Sequence, residues 1–357
     1  MVTTKLNPKS FPWGLTRAGR SRLRPYHLIG PLVVLLLLFG ERIVFPREDG
    51  VCHGRNPPVQ VQATDHAKNS VEHEHVVNCT AQTIDDPGVN VALYKTCIAP
   101  PLKMNVHSGN EMISRDIETS GCFECSILKK LMQFMEQTPP DTFFLDIGAN
   151  IGMYSVHAAA WGRDVFAFEP FQRNYQRICK SISMNKGFEE RIVVFNIALT
   201  DHPTTVGFTS VSEENFGGIH VKEEAAQEES APVRGVDYAP GVQLSSLKSV
   251  LPLNRPAVIK IDVEGSECGV LGGAMDYLHA LDILYVAMEW SPEMPNCEHM
   301  EAMFKLFQKN RLSPYQHVYW QDIWRPVKAT EWRQWHYDWF KDKGWNTRLM
   351  DIAWIRE

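Results

Sequence analysis

What this 357-residue chain lacks closes off several classes of function. No G-x-x-x-x-G-K-[ST] segment occurs, so ATP held by a phosphate loop is not expected. There is no internal repeat and no heptad run, which argues against solenoids and coiled coils. A general basic field is missing too: 36 Lys and Arg stand against 42 Asp and Glu, a formal net charge of -6. Nucleic acid is therefore a poor default partner. One C-x-x-C pair is present, Cys122–Cys125, without a second pair at zinc spacing. It reads as structural, and no metal site is expected. Long apolar runs are scarce, the longest being Leu28–Gly40 (LIGPLVVLLLLFG), against the roughly 20 residues of a comfortable membrane span.

The rest of the composition is ordinary for a globular protein, 44% hydrophobic and 22% charged, with length enough for one large domain or two small ones. Basic residues crowd the N-terminus: Lys5, Lys9, Arg17, Arg20, Arg22 and Arg24 stand directly before the apolar run. Beyond Glu41 and Arg42 the run resumes with Ile43, Val44 and Phe45. A basic tail over 1–27 followed by a signal anchor over 28–45 fits this pattern best, with the charged pair snorkelling at one interface. A cleaved signal peptide and a buried helix are the alternatives. The long basic segment and the absence of a clean small-x-small site disfavour the first. The anchor makes the protein a single-pass type II membrane protein with its catalytic part in the lumen of the ER or Golgi. Residues 46–110 then read as a stem or linker. In it lies the acceptor triplet Asn78-Cys79-Thr80, a glycosylation signal in a secreted context. Five of the eight cysteines, Cys52, Cys79, Cys97, Cys122 and Cys125, precede the main apolar pattern, where disulfides would staple a stem.

From Thr142 onward strands alternate with helices. Buried-strand runs are Thr142–Asp146, Asp164–Phe168, Ile192–Asn196, Val258–Asp262 and Ile283–Glu289. Helical stretches are Met153–Trp161, Phe171–Asn185, Ser266–His279 and Glu298–Lys309. The alternation predicts an α/β fold, a Rossmann-like doubly wound sheet that is mostly parallel. Gln316–Trp320 and Asp351–Ile355 would close it as a terminal antiparallel pair. Insertions interrupt the scheme at 200–255 and 321–346. In the first, VGF (206–208), GGIHV (217–221) and APV (231–233) suit a side hairpin, and the acidic run Glu223–Glu229 reads as a solvated loop. The second is dense in tryptophan: Trp324, Trp332, Trp335, Trp339 and Trp345. Such rings either pack as a lid or stack on a flat substrate such as a sugar.

Chemistry concentrates in Phe143-Phe144-Leu145-Asp146-Ile147-Gly148-Ala149-Asn150-Ile151-Gly152. An apolar strand ends at an acid, turns through glycines and enters a helix, the edge where open α/β sheets bind nucleotides. The next strand ends at Glu169-Pro170, where a carboxylate can accept from ribose hydroxyls. A dinucleotide loop would carry glycine where Asn150 stands. Asp146 is also unwelcome beside a pyrophosphate, yet it suits a cofactor with ammonium and sulfonium charges. The residues therefore favour S-adenosylmethionine over NAD.

FLDIGANIGMYS, VFAFEP, NIAL (196–199) and VIKIDVEGSE (258–267), taken in this order, resemble the FkbM family of class I methyltransferases. The likeness runs from about Asp116 to about Glu289, and a methyltransferase domain is drawn over 111–357. It implies that Asp146, Gly148, Asn150 and Gly152 line the methionine end of S-adenosylmethionine. Glu169 would hold the ribose, and Asn196, Ile197 and Ala198 would lie against adenine. Asp262 is implied near the transferable methyl, with Glu264 and Glu267 beside it.

For O-methyl transfer, Asp262 or Glu264 can serve as general base. The plain alternative for Glu264 is a helix cap or salt bridge. Glu289 could join Asp262 in holding a divalent cation, whereas His107, His157 and His220 read as packing or surface. The expected acceptor bears a hydroxyl, most plausibly that of a sugar or glycan. A lipid or small-molecule hydroxyl, an inactive cofactor-binding membrane protein and an NAD-dependent oxidoreductase are the rivals.

Overall fold

Apolar runs and their turns set the frame. The computed structural model describes residues 75–82, 88–93, 102–208, 221–224, 237–290, 294–318, 323–328 and 350–357. The expected basic tail and signal anchor lie outside them, as do most of the tryptophan-rich insertion and His220. Among the described residues no helix is long and apolar enough to cross a membrane.

In chain order the strands are β1 (Val89–Leu93), β2 (Leu102–Val106), β3 (Phe143–Ile147), β4 (Val165–Phe168), β5 (Ile192–Phe195), β6 (Ala198–Leu199), β7 (Thr204–Phe208), β8 (Val221–Glu224), β9 (Tyr238–Val242), β10 (Pro256–Ile261), β11 (Asp282–Trp290), β12 (Leu312–Val318), β13 (Ile323–Pro326) and β14 (Met350–Arg356). The helices are α1 (Met112–Ser120), α2 (Cys125–Glu136), α3 (Met153–Ala160), α4 (Gln172–Met184), α5 (Glu267–Leu278) and α6 (Met300–Lys309).

The main sheet has the order β13-β12-β14-β11-β10-β3-β4-β5. Strands β5, β4, β3, β10 and β11 run parallel, and β14 lies antiparallel between β11 and β12. This is the expected doubly wound α/β sheet with its antiparallel closure. Helices cover both faces. All five residues of β3 are buried, which is why its sequence is a continuous apolar run rather than an alternation. Strand order reverses between β3 and β10, the place where such sheets open a crevice at their carboxyl edge.

Three regions differ from the sequence reading. The supposed stem reaches into the fold. Val77 donates its N–H to the Val194 carbonyl at 2.8 Å, extending the edge at β5, and β1–β2 forms an antiparallel hairpin with Leu102, Met104 and Val106 buried. Secondly, the 200–255 insertion contributes a separate sheet of order β6-β9-β7-β8. Glu223 and Glu224 therefore stand in a strand rather than a loop, since pairing with β7 satisfies their backbone. Thirdly, disulfides among the described residues reach beyond the supposed stem, Cys52 and Cys97 lying outside those residues. Cys79 bonds Cys179 in α4, Cys122 bonds Cys125, and Cys268 in α5 bonds Cys297.

The Cys79–Cys179 bridge spans 100 residues of sequence. In the chain-entropy picture a loop of that size restrains the unfolded state by about 4–5 kcal/mol. Replacing both cysteines by serine is expected to lower the denaturation midpoint strongly while circular dichroism keeps the native α/β signature. An unchanged midpoint would show that this bridge does not form.

Candidate active site

The loop after β3 is shaped by positive backbone angles. Gly148 has φ 79°, and a methyl there would overlap the Asp262 carbonyl oxygen, so only glycine allows the β3 and β10 loops to touch. The Gly148 and Ala149 N–H groups both donate to the Phe168 carbonyl at 3.0 Å. Asn150 has φ 52°, a left-handed position that asparagine tolerates; its Oδ1 accepts from the Ile151 N–H at 2.7 Å. At Gly152, φ 83°, a Cβ would come 2.9 Å from Ile178 of α4. The glycine spacing is thus a packing requirement.

These loops border a cavity of about 510 Å³. Of the residues singled out from sequence, Gly148, Asn150, Glu169, Ile197, Ala198, Asp262 and Glu264 line it, and so does Glu289. Asp146, Gly152 and Asn196 do not. Asp146 lies beneath the loop, fully buried, where its Oδ2 accepts from Ser155 Oγ at 2.6 Å and its Oδ1 has no partner. Burial raises its pKa, partly offset by the Lys260 charge and the Ser155 bond. Asn196 donates its backbone N–H to the His75 carbonyl at 3.1 Å, tying the end of β5 to the N-terminal segment.

Glu169 closes β4 and is buried. Its Oε2 accepts from the Asn150 N–H at 2.7 Å; its Oε1 accepts from the Phe171 N–H at 2.9 Å and from Asn174 Nδ2 at 3.5 Å. Desolvation outweighs these bonds and pushes its pKa up to about 8.

Across the cavity, the β10 end carries the second acidic group. The turn passes through Glu264 (φ 54°) and Gly265 (φ 95°). The capping role weighed for Glu264 belongs to Glu267, whose Oε1 accepts from the Val263 and Gly265 N–H groups at 3.2 and 3.1 Å. Glu264 lines the cavity instead. Burial first, then the Asp262 charge, raises its pKa to about 7. Asp262 Oδ2 pairs with Lys260 Nζ at 2.6 Å, and that ammonium stands 4.8 Å from the Tyr154 ring centroid. Burial alone would lower the Lys260 pKa, but the charges of Asp262, Asp146 and Glu124 prevail and raise it. Glu289, at the end of β11, has its pKa raised by burial and by the surrounding carboxylates. Among the described residues no group of three or more His, Cys, Asp or Glu side chains is arranged to hold a metal ion.

Two contributors escaped the sequence reading. Lys260 is the charge partner of the motif aspartate, and its place inside IKIDVEG was the available signal. Glu124, from the C-x-x-C segment, has a left-handed backbone at φ 48° and makes no capping bond to α2. Its Oε2 accepts instead from Tyr154 O–H at 3.0 Å, and it lines the cavity with Phe123. The Cys122–Cys125 disulfide brackets both residues. His157 is packing: fully buried, its Nδ1 is 2.7 Å from the Met153 carbonyl, and burial lowers its pKa to about 4.

Residues 146–312 match the model of the methyltransferase FkbM domain. Nothing among the curated proteins matches. Similar solved structures include precorrin-6y C5,15-methyltransferase from Geobacter metallireducens GS-15, at 8% identity and TM-score 0.30, covering 65% of this chain and 88% of that one. Another is a geranyl diphosphate C-methyltransferase from Streptomyces coelicolor A3(2), at 11% identity and TM-score 0.33, covering 80% and 96%.

Glu169, Glu264 and Glu267 all have folded pKa values above the ordinary 4.5. Between about pH 4.5 and 8 the folded chain therefore holds protons that the unfolded chain releases. Their stabilising contribution is full at the acid end and falls as pH rises. The melting temperature of Glu169→Gln, relative to wild type, is expected to rise from pH 5 to pH 8. A pH-independent difference would remove Glu169 as a buried proton holder.

Proposed function

We propose, from the match of residues 146–312 to the methyltransferase FkbM domain, that this chain is an S-adenosylmethionine-dependent O-methyltransferase acting on a hydroxyl of a sugar or glycan. One observation carries the reading: carboxyl groups from β4, β10 and β11 meet in one cavity at the strand-order reversal, with Lys260 as the only lysine or arginine lining it among the described residues. Such a cavity suits a ligand bearing positive charge and rejects pyrophosphate. Its volume suits a nucleoside-sized cofactor.

The residues fit that cofactor in detail. Glu169 Oε2 takes one donor within the protein, which leaves acceptor capacity for a ribose hydroxyl. Ile197 and Ala198 offer an apolar wall for the base, and the Gly148–Asn150 loop borders the same cavity. Asp146, its buried Oδ1 unpartnered, adds an acidic group under that loop. Bound there, the cofactor supplies a methyl group on a cationic sulfur.

Of the two candidates Glu264 is the proposed base, because it lines the cavity with a raised pKa; Asp262 Oδ2 forms an ion pair with Lys260. Glu264 would take the proton of the acceptor hydroxyl as that oxygen receives the methyl group, which the cofactor would supply together with its own sulfur leaving group. A carboxyl with a pKa of about 7 is well matched to that transfer. Asp262, fixed by Lys260, orients the acceptor, and alignment supplies much of the acceleration.

Supporting the proposed lumenal setting, the structure pairs six cysteines in disulfides, as oxidising compartments allow. Asn78 of the glycosylation triplet is exposed, with its Oδ1 accepting from Thr80 Oγ1 at 2.7 Å.

Calorimetry with S-adenosylhomocysteine is expected to show binding that Glu169→Ala weakens about 100-fold, on the scale of a charged hydrogen-bonding group. Glu264→Gln should keep that affinity while lowering turnover roughly 100-fold or more in a labelled-methyl screen against glycans, lipids and small hydroxyl compounds. Binding of NAD in place of S-adenosylhomocysteine would sink the proposal; transfer to a lipid alone would move the acceptor class.

A further inference from the structure

Where a sheet would give β2 a second neighbouring strand, this fold gives it a helix. The Lys103 N–H donates to Asn185 Oδ1 at 3.0 Å, and Asn185 Nδ2 donates back to the Lys103 carbonyl at 2.6 Å. The Asn105 N–H donates to Ser181 Oγ at 2.9 Å, and Arg177 Nη1 donates to Asn105 Oδ1 at 2.8 Å. Arg177 Nε donates to His107 Nδ1 at 3.2 Å, and His107 Nε2 lies 2.9 Å from Asn174 Oδ1. The partners advance along the strand as 103, 105 and 107, and back along the helix segment as 185, 181, 177 and 174. Two strand residues rise about 6.7 Å, and four helical residues about 6 Å. Strand and helix stay in step over the whole contact.

The last rung reaches the cavity. Since His107 Nδ1 accepts from Arg177, the ring proton sits on Nε2 and is donated to Asn174 Oδ1. That leaves the Asn174 amide N–H₂ facing Glu169 Oε1, at 3.5 Å. Donor order along the chain thus fixes the imidazole tautomer and the amide orientation together. His107, Asn174 and Arg177 are each 2% exposed and Asn105 is fully buried. A dry polar stripe is a costly way merely to pack a hairpin, because apolar side chains would do so without desolvation. The backbone of His107 is held as well, its N–H donating to Ser114 Oγ at 3.0 Å. Glu111 caps α1 through the Ile113 and Ser114 N–H groups, which brings Met112 and Ile113 into the cavity wall.

We infer that His107 is a positioning residue of the cofactor site: through Asn174 it orients the Glu169 carboxylate, making the β1–β2 hairpin a working part of ribose recognition. The hairpin precedes the family match, which begins at residue 146. The inference rests on the reading of Glu169 as the ribose acceptor.

The test is calorimetry with S-adenosylhomocysteine on the full chain. His107→Leu keeps bulk but breaks the chain of bonds; His107→Gln presents an acceptor and a donor in the same order. The Leu variant is expected to bind about tenfold more weakly, the worth of one hydrogen bond to a charged group, and Gln is expected to recover most of that loss. Wild-type affinity in the Leu variant overturns the proposal, and so does a loss that Gln fails to recover, which would mark simple packing. Should Leu at 107 prevent folding, Asn174→Ala interrupts the same chain one step nearer Glu169, and unchanged affinity there is equally decisive against it. If wild type itself does not bind, the functional reading fails first and takes the inference with it; binding by wild type separates the two.

Discussion

The close passage of the Gly148 backbone against the Asp262 carbonyl is the contact on which the other arrangements depend. It joins the loops of β3 and β10 where strand order reverses, and the Asp262 N–H bonded to the Ile147 carbonyl at 3.0 Å continues the ladder up to that point. On one side of the seam lie the ends of β4 and β5 with Glu169, Ile197 and Ala198. On the other lie Asp262, Glu264 and Glu289. A side chain at 148 would wedge the two halves apart, so one missing Cβ holds both sets of groups around one space.

Electrostatics gives that space its character. Burial acts against charge on nearly every carboxyl at the strand ends, and Lys260 answers several of them at once. Without further positive charge the folded chain relieves the excess by holding protons on Glu169, Glu264 and Glu267. A bound cation would do the same without protons. Preference for a cationic ligand and reluctance to ionise are therefore two expressions of one charge imbalance, set by residues on different strands.

Much of this was legible in the chain. The runs FFLDI, VFAF, IVVF and PAVIKI lie in strands with both faces covered, and their apolar continuity announced this directly. Glu169 and the β10 acids stood where strand ends were expected. Other features were not readable, for physical reasons. In β2, LKMNV alternates apolar with polar residues as a half-solvated strand would, but alternation does not reveal that Asn105 is buried against α4 rather than facing water. Cysteine partners depend on the folded path, as Cys79 and Cys179 illustrate. Asp146 could be assigned to a strand end but not to a depth: Ser155 from the next helix draws it beneath the loop. Asn196 is turned by a backbone bond to His75 from far upstream. Glu124 depends on a left-handed backbone bracketed by two cysteines, which spacing alone does not reveal.

The matched repeats of β2 and α4 carry a consequence for how this chain can diverge. One residue inserted in α4 between Asn174 and Asn185 would turn every later rung by about 100°, away from the strand. A deletion would do the same in the opposite sense. Homologues that keep the hairpin are expected to preserve the length of that helix, or change it only by whole turns. Insertions and deletions across the lineage should therefore avoid the helix that faces β2.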